Sequence, residues 1–423
     1  MRISNLDPGN LEPRNFALDN CLKCSLCNTA CPVYAVHPQY PGPKHLGPEL
    51  ERLRRETGSV DSPWLEYCLG CHRCDLVCPH QVDVSEMIAR AKAAHRKPLV
   101  RALRDWWFAR PGLLGRLTTI LPALSNLALS LAPARFLMSK LMRITPLRKF
   151  PAYTRPNLCS PAIAPNQPRV VFFPGCFIRY NRPDLGRTIV ELLQRNGIAT
   201  QIAATDCCGV PAIANGDATQ ALSLARANVR ILSSQAAEGV RIVTACSSCG
   251  HMLKTAFAAQ LQADPEFAAA AQQIAAATLD LGELLMQLSD AGQLDTRFHP
   301  NQLRLAYHAP CHPESQGIGR PWFHLLSQIP GVSVQDLDAG CCGMSGTFGF
   351  KEEKYPVSMA IGQQLFNRIH ETQPQLVATE CATCQMQIEH GTALKSIHPA
   401  ELLLQAYGAP FEAPPPPNSR RTR

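Results

Sequence analysis

The 423-residue sequence predicts an α/β protein with an α-helical N-terminal domain. Three observations carry that prediction. After residue 166, short apolar β-branched runs alternate with helical segments, the order that gives a parallel sheet covered by helices. The alternation occurs twice, and the second copy follows the first at an offset of about 135 residues (311 − 176 = 135). Before residue 95 the chain instead reads as loops and short helices around two dense cysteine runs. Hydrophobic residues make up 46% and charged residues 17%, the balance of a folded globular protein. About three domains suit this length. The expected boundaries are 1–95, a helical linker over 96–165, then 166–295 and 300–410, with 411–423 a proline-rich, basic, disordered tail.

The N-terminal domain is justified by its cysteines. MRISNLDPGNLEPRNF has no apolar core of signal-peptide type, so the chain is expected in the cytosol. In that reducing compartment nineteen cysteines read as metal ligands rather than disulfides. Eighteen fall into four groups, and Cys159 is left without a role. The first group is Cys21, Cys24, Cys27 and Cys31 in CLKCSLCNTACP. The second is Cys68, Cys71, Cys74 and Cys78 in CLGCHRCDLVCP. C-x2-C-x2-C-x3-C-P is the two-cluster ferredoxin run, in which the fourth cysteine ligates the other [4Fe–4S] cluster. The expected ligand sets are therefore Cys21, Cys24, Cys27 and Cys78 for one cluster, and Cys68, Cys71, Cys74 and Cys31 for the other. Pro32 and Pro79 turn the chain away after the fourth ligand. Zinc knuckles would use separated C-x2-C pairs; a third cysteine at the same spacing followed by C-P, twice, argues against them. His72 reads as a solvated neighbour of the ligands. Residues 38–48 are a Pro/Gly loop, PELERLRRE is a short helix with Pro48 near its start, and DVSEMIARAKAAHRK is another helix.

Residues 96–150 carry eleven Lys or Arg and one acid, Asp105, a local charge of +10 against +8 for the whole chain. The uncharged run 117–134 is near the lower limit for a membrane span, but Pro122, Ser125, Asn126, Ser130 and Pro133 interrupt it. A basic, Trp-bearing amphipathic segment lying on a membrane surface fits better. Its expected contacts are Arg101, Arg104, Trp106, Trp107, Phe108 and Arg110. A helical linker packed on the other domains, with solvated arginines, is the alternative. No motif for nucleic acid accompanies the basic residues.

The repeat justifies the α/β part. Its cysteines are Cys176, Cys207, Cys208, Cys246 and Cys249, then Cys311, Cys341, Cys342, Cys381 and Cys384. Flanks repeat too: VVFFPGC with LAYHAPC, TDCCGVPAIANG with AGCCGMSGTFGF, IVTACSSC with LVATECATC. In the first copy RVVFFP, TQIAAT and RIVTA are strands, while PDLGRTIVELLQRNG and DATQALSLARANVRILSSQ are helices. In the second, RLAYHA, VSVQDL and QLVATE are strands, with helices near 321–329 and 351–371. Every cysteine then lies just after a strand, at the carboxyl edge where open α/β sheets bind ligands. Five thiols at matched spacing, twice, point to a metal site in each copy; the metal stays open, because five thiols exceed one tetrahedral zinc or one cubane.

The pattern C-x29/30-C-C-G-x36/37-C-x2-C resembles the cysteine-rich CCG domain found in the B subunits of heterodisulfide reductases, in the iron–sulfur subunits of glycolate and lactate oxidases, and in one subunit of a glycerol-3-phosphate dehydrogenase. Two ferredoxin motifs followed by two CCG domains are similar above all to the C subunits of anaerobic glycerol-3-phosphate dehydrogenases. The matching residues include CPVYAVHPQYPGPKHLGPELERLR, CCGMSGTFGFKEEKYPVSMAIG and CATCQMQIEHGTALKSIHPAELL. The resemblance covers about residues 18–408. It implies a helical two-[4Fe–4S] ferredoxin-like domain followed by a duplicated α/β CCG domain. It further implies an electron-transfer and membrane-anchoring subunit in anaerobic respiration on glycerol, peripheral on the cytoplasmic face of the inner membrane. Its expected partners are FAD-containing catalytic subunits and membrane quinone, not nucleic acid. One or two further, noncubane [4Fe–4S] clusters in the CCG domains are also implied. G-x-G-x-x-G is absent, so no FAD or NAD is expected in this chain and hydride chemistry falls to a partner. The alternative is a glycolate/lactate-type or heterodisulfide-reductase-like enzyme acting at the CCG sites. A zinc-bearing scaffold is a third.

Overall fold

In the computed structural model, residues 17–58, 61–162, 167 and 169–408 are described. The N-terminal segment read for a leader and the expected tail, 411–423, lie outside them. The N-terminal domain is helical. A π turn over His45–Glu49 runs into helix α1 (Leu50–Thr57), and α2 spans Val84–Ala94. Leu18, Val33, Tyr40, Leu46, Leu65 and Ile88 form its core, and Phe348 and Ile361 of the second repeat join that core. Lys354 closes the seam: its Nζ donates to Glu66 O at 2.7 Å.

Helices α3 (Leu99–Phe108), α4 (Pro111–Thr118), α5 (Pro122–Ser130) and α6 (Ala132–Met142) form the linker. Three of them place proline in the first turn, where its missing N–H has no intrahelical partner to lose. Among the described residues no single helix is long and apolar enough to cross a membrane; α4 and α5 together are, but they meet at a bend of 110°.

The linker corrects one expectation. Arg104 and Phe108 do not face outward: Arg104 is fully buried and Phe108 packs in a core with Phe350 and Leu365. The Arg104 guanidinium donates to both carboxylate oxygens of Glu353, each at 2.9 Å, and to Asp105 at 3.0 Å. Asp105 also receives Lys97 at 2.7 Å and Lys351 at 2.8 Å. Arg110 donates to Asp217 at 2.8 Å, with its guanidinium over the Trp106 ring. Buried charges of this kind persist only when paired. Part of the basic charge is thus consumed by acids of both repeats, which the local count of charges does not reveal.

Each repeat is a four-stranded parallel sheet. The first has β1 (Arg169–Phe173), β2 (Ala199–Ile202), β3 (Arg241–Thr244) and β4 (Thr278–Asp280) in the order β2-β1-β3-β4. The second has β5 (Leu303–Tyr307), β6 (Val332–Asp336), β7 (Leu376–Ala378) and β8 (Ser396–Ile397) in the order β6-β5-β7-β8. The register sets Phe172 opposite Ile202 on one side and Val243 on the other; Ala306 stands likewise between Gln335 and Val377. The sequence pattern predicts three strands per copy. The fourth has three residues in one sheet and two in the other, too few for any periodicity. Val170, Phe172, Ile189, Leu285, Leu305 and Trp322 belong to one core shared by the two repeats. In both sheets the strand order reverses between the first strand and the third, so the crevice for a ligand opens there at the carboxyl edge.

Candidate metal centres

The two ferredoxin motifs fold alike. The residues flanking the second cysteine, Lys23 and Ser25 in one and Gly70 and His72 in the other, all take left-handed backbone conformations. A one-turn helix follows, Leu26–Thr29 or Arg73–Leu76, and carries the third cysteine. The two short helices pack against each other. Left-handed residues curl the chain around its own thiols, so the spacing acts through geometry.

Cys27 is held near Cys21 and Cys24: burial first, then their charges, pushes its thiol up to about 11. Cys31 does not join them. Burial pushes it up to about 12, and the thiols bearing on it are Cys68 of the second motif and Cys341 of the second repeat. Cys71 and Cys74 are also raised by burial, with Cys68 and Cys31 among the charges around both. Cys31, Cys68, Cys71 and Cys74 line one cavity, together with Tyr40 and Ile88. Cys78 Sγ accepts the Val82 N–H at 3.4 Å.

In the repeats the ten thiols form two chains of contacts in the same order. In the first, Cys207 touches Cys176 and Cys208, and Cys249 touches Cys208 and Cys246. In the second, Cys341 touches Cys311 and Cys342, and Cys384 touches Cys342 and Cys381, with Cys384 Sγ 3.3 Å from Cys342 Sγ. The turn that makes this possible needs glycine. Gly209 and Gly343 have φ of 97° and 83°, and a Cβ on Gly343 would stand 2.2 Å from Ser358 O. Their N–H groups donate to Cys207 Sγ at 3.4 Å and Cys341 Sγ at 3.3 Å.

The residues fit an iron–sulfur group by their donor chemistry. A ligating cysteine must be a thiolate. Among five buried or half-buried sulfurs in contact, thiolates are held by neighbouring S–H donors: Cys341 is lowered chiefly by Cys311 and Cys342, Cys208 by Cys207 and Cys249, and Cys381, by Cys384, to about 6. The donors Cys207, Cys249, Cys311 and Cys384 are all raised. All five can ionise together only with cationic charge among them, which iron supplies.

Histidines outside the expected site set gather between the centres. His72, His251 and His312 come from the ferredoxin-like domain and the two repeats, with ring centroids 4.2 Å (72–251) and 5.2 Å (251–312) apart. His72 is not a free solvated neighbour: it contacts Asp75 and Ser85. His312 Nε2 donates to Gly70 O at 3.2 Å, so its Nδ1 accepts from Ser248 Oγ at 2.8 Å. Burial pushes His312 down to about 4, and both Cys208 and Cys341 bear on it, so it stands between the two sites as a neutral ring. His308 follows β5 within reach of Cys342 and Cys384. The repeated flanks VVFFPGC and LAYHAPC were the signal for it, since His308 aligns with Phe173.

The expected surface residues divide. Trp106 is exposed, Arg101, Trp107 and Arg110 are half-buried, and Arg104 and Phe108 are buried. The larger apolar face lies further on: Leu117, Ile120, Leu121, Leu124, Leu127, Phe136, Leu137 and Leu141 are exposed, the least of them at 49%. Composition alone did not single them out, because leucine in a helix is more often core than surface.

Comparison with known proteins agrees with this arrangement. The 4Fe-4S dicluster domain matches residues 17–82, and the cysteine-rich domain matches twice, at 170–254 and 305–389. The chain is similar to the C subunit of anaerobic glycerol-3-phosphate dehydrogenase of Escherichia coli (strain K12), 37% identical over 400 residues covering 92% of this chain and 98% of the relative. It is similar at 26% over 409 residues (92% of this chain, 72% of the relative) to the B subunit of fumarate reductase (CoM/CoB) of Methanothermobacter marburgensis. A third relative is the probable glycolate oxidase iron-sulfur subunit of Bacillus subtilis, 24% identical over 425 residues covering 92% and 94%.

Proposed function

Since the chain belongs to the family of anaerobic glycerol-3-phosphate dehydrogenase C subunits and is an iron–sulfur protein, we propose that it carries electrons from FAD-containing catalytic subunits to membrane quinone and holds the complex at the membrane. The observation that carries the reading is the contiguity of the cysteine sites. Cys31, Cys68, Cys71 and Cys74 share a cavity, Cys341 of the second repeat bears on both Cys71 and Cys31, and His312 stands between Cys341 and Cys208. Clusters bound at such sites would supply one-electron carriers in sequence. The protein's own part is to hold them in order, to keep water from them with Tyr40, Ile88 and Phe348, and to aim Gly209 and Gly343 N–H groups at sulfur.

Anchoring is supported by the exposed leucines of α4–α6. They suit the acyl boundary of the cytoplasmic face of the inner membrane, and Lys140 and Lys149, both exposed, suit anionic headgroups. The test is anaerobic assembly with the flavoprotein subunits, followed by sn-glycerol 3-phosphate. The iron–sulfur absorbance should bleach after flavin reduction, and added quinone should restore it. Flavin that is reduced while the clusters stay oxidised rejects the reading.

A further inference from the structure

The two cysteine-rich repeats match sulfur for sulfur but differ three residues before their first cysteine. The first has Phe173 there, fully buried and without a donor atom; the second has His308, 2% exposed. A ring nitrogen of His308 and the sulfurs of Cys342 and Cys384 all lie within 4.8 Å of one another. Its Nε2 is buried without a hydrogen-bond partner among the described residues. An imidazole so placed gives up its solvation with nothing in return unless something accepts from it or donates to it. The surrounding sulfurs are already engaged with one another, in the same chain of contacts that the first repeat makes without a histidine.

We propose that His308 is a nitrogen ligand of the iron–sulfur group held by Cys311, Cys341, Cys342, Cys381 and Cys384, so that the second repeat is a mixed nitrogen–sulfur centre and the first an all-sulfur one. This rests on the reading that the repeats hold iron. Imidazole is a neutral donor added to the same five thiolates, and ligand identity is one of the factors that set the potential of an iron–sulfur centre. The consequence is functional asymmetry. The duplicated domains are not equivalent carriers: the second, beside Cys71 and Cys31, has a potential different from that of the first.

The experiment uses the full chain, purified anaerobically, with and without ¹⁵N-histidine. Pulsed electron paramagnetic resonance should show, on one centre, a nitrogen coupling of the size of a directly bound imidazole that changes with the label. In His308→Phe, which restores the residue of the first repeat, that coupling should vanish and the midpoint potential of the same centre should shift. If no centre of the labelled wild type carries such a coupling, or only a weak one of the kind a hydrogen bond gives, the proposal is overturned, whether or not the variant folds. A coupling that survives in His308→Phe overturns it as well. Iron content separates the two levels. If Cys341→Ser with Cys342→Ser leaves the iron content of the wild type unchanged, the reading of the site as an iron centre fails together with the proposal. If iron falls but the wild type shows no nitrogen ligand, His308 ligation alone is wrong.

Discussion

Cys31 ends the first ferredoxin motif, yet the thiols around it are Cys68 and Cys341, and it lines a cavity with Cys68, Cys71 and Cys74. The following residue, Pro32, opens a five-residue helix that carries the chain off. Substitution at this residue should therefore be felt in the other motif. Cys31→Ala is expected to damage the cluster of Cys68, Cys71 and Cys74 while sparing that of Cys21, Cys24 and Cys27; Mössbauer or electron paramagnetic resonance spectra that resolve the two would show it. Loss confined to the first-motif cluster would refute the crossed ligand sets.

Helices α4–α6 are amphipathic in an unusual sense: much of their apolar surface points away from the protein. Ile120, Leu121, Leu124 and Leu141 are 57–64% exposed. Burying a leucine fully is worth about 1.5–3 kcal/mol, so three partly inserted leucines carry enough for reversible membrane binding. Leu121→Glu, Leu124→Glu and Leu127→Glu together should reduce sedimentation with anionic vesicles by roughly 100-fold, and high salt should weaken the wild type. A wild type that stays in the supernatant at low salt would leave membrane attachment to the partner subunits. Arg104, once expected at this surface, is the wrong residue to test, since its loss would leave Glu353 without its two 2.9 Å hydrogen bonds.

At the scale of the molecule, the linker is a clasp. Asp105 joins Lys97, Arg104 and Lys351, and Lys97 reaches Asn215 O in the first repeat at 2.6 Å. Against burial, Lys351, Lys97 and Arg104 hold the Asp105 carboxyl far below the usual range, and burial pushes Lys351 down to about 8. Asp105→Asn leaves buried cations unpaired and should destabilise the fold by about 3–5 kcal/mol, read by thermal or denaturant unfolding. The depressed carboxyl binds its proton less readily folded than unfolded. Its contribution is therefore present above the unfolded value near ~4 and is lost as pH falls below it. The gap in stability between wild type and Asp105→Asn should shrink as pH falls below about 4; a gap that widens there would contradict the network.

What the sequence determined by itself is what depends on short stretches of chain. C-x2-C-x2-C-x3-C-P identifies its ligand chemistry because the loop that wraps thiols around iron is local. The duplication and its parallel sheets are legible because strand and helix periodicities are local too, whereas β8, with two residues, left no such trace. The cysteine-rich sites were foreseeable from the strand ends, since both sheets deliver all ten thiols to one edge. Tertiary structure alone decided who meets whom across distance. Arg104 and Glu353 are 249 positions apart, and no charge count pairs them. Arg73 donates to Glu314 across 241 positions, at the seam where Cys71 comes under the influence of Cys341. His308 reads as one histidine in an apolar strand until folding brings Cys342 and Cys384 beside it. In each case the interaction energy depends on burial and proximity, and both are properties of the packed molecule rather than of the neighbouring residues.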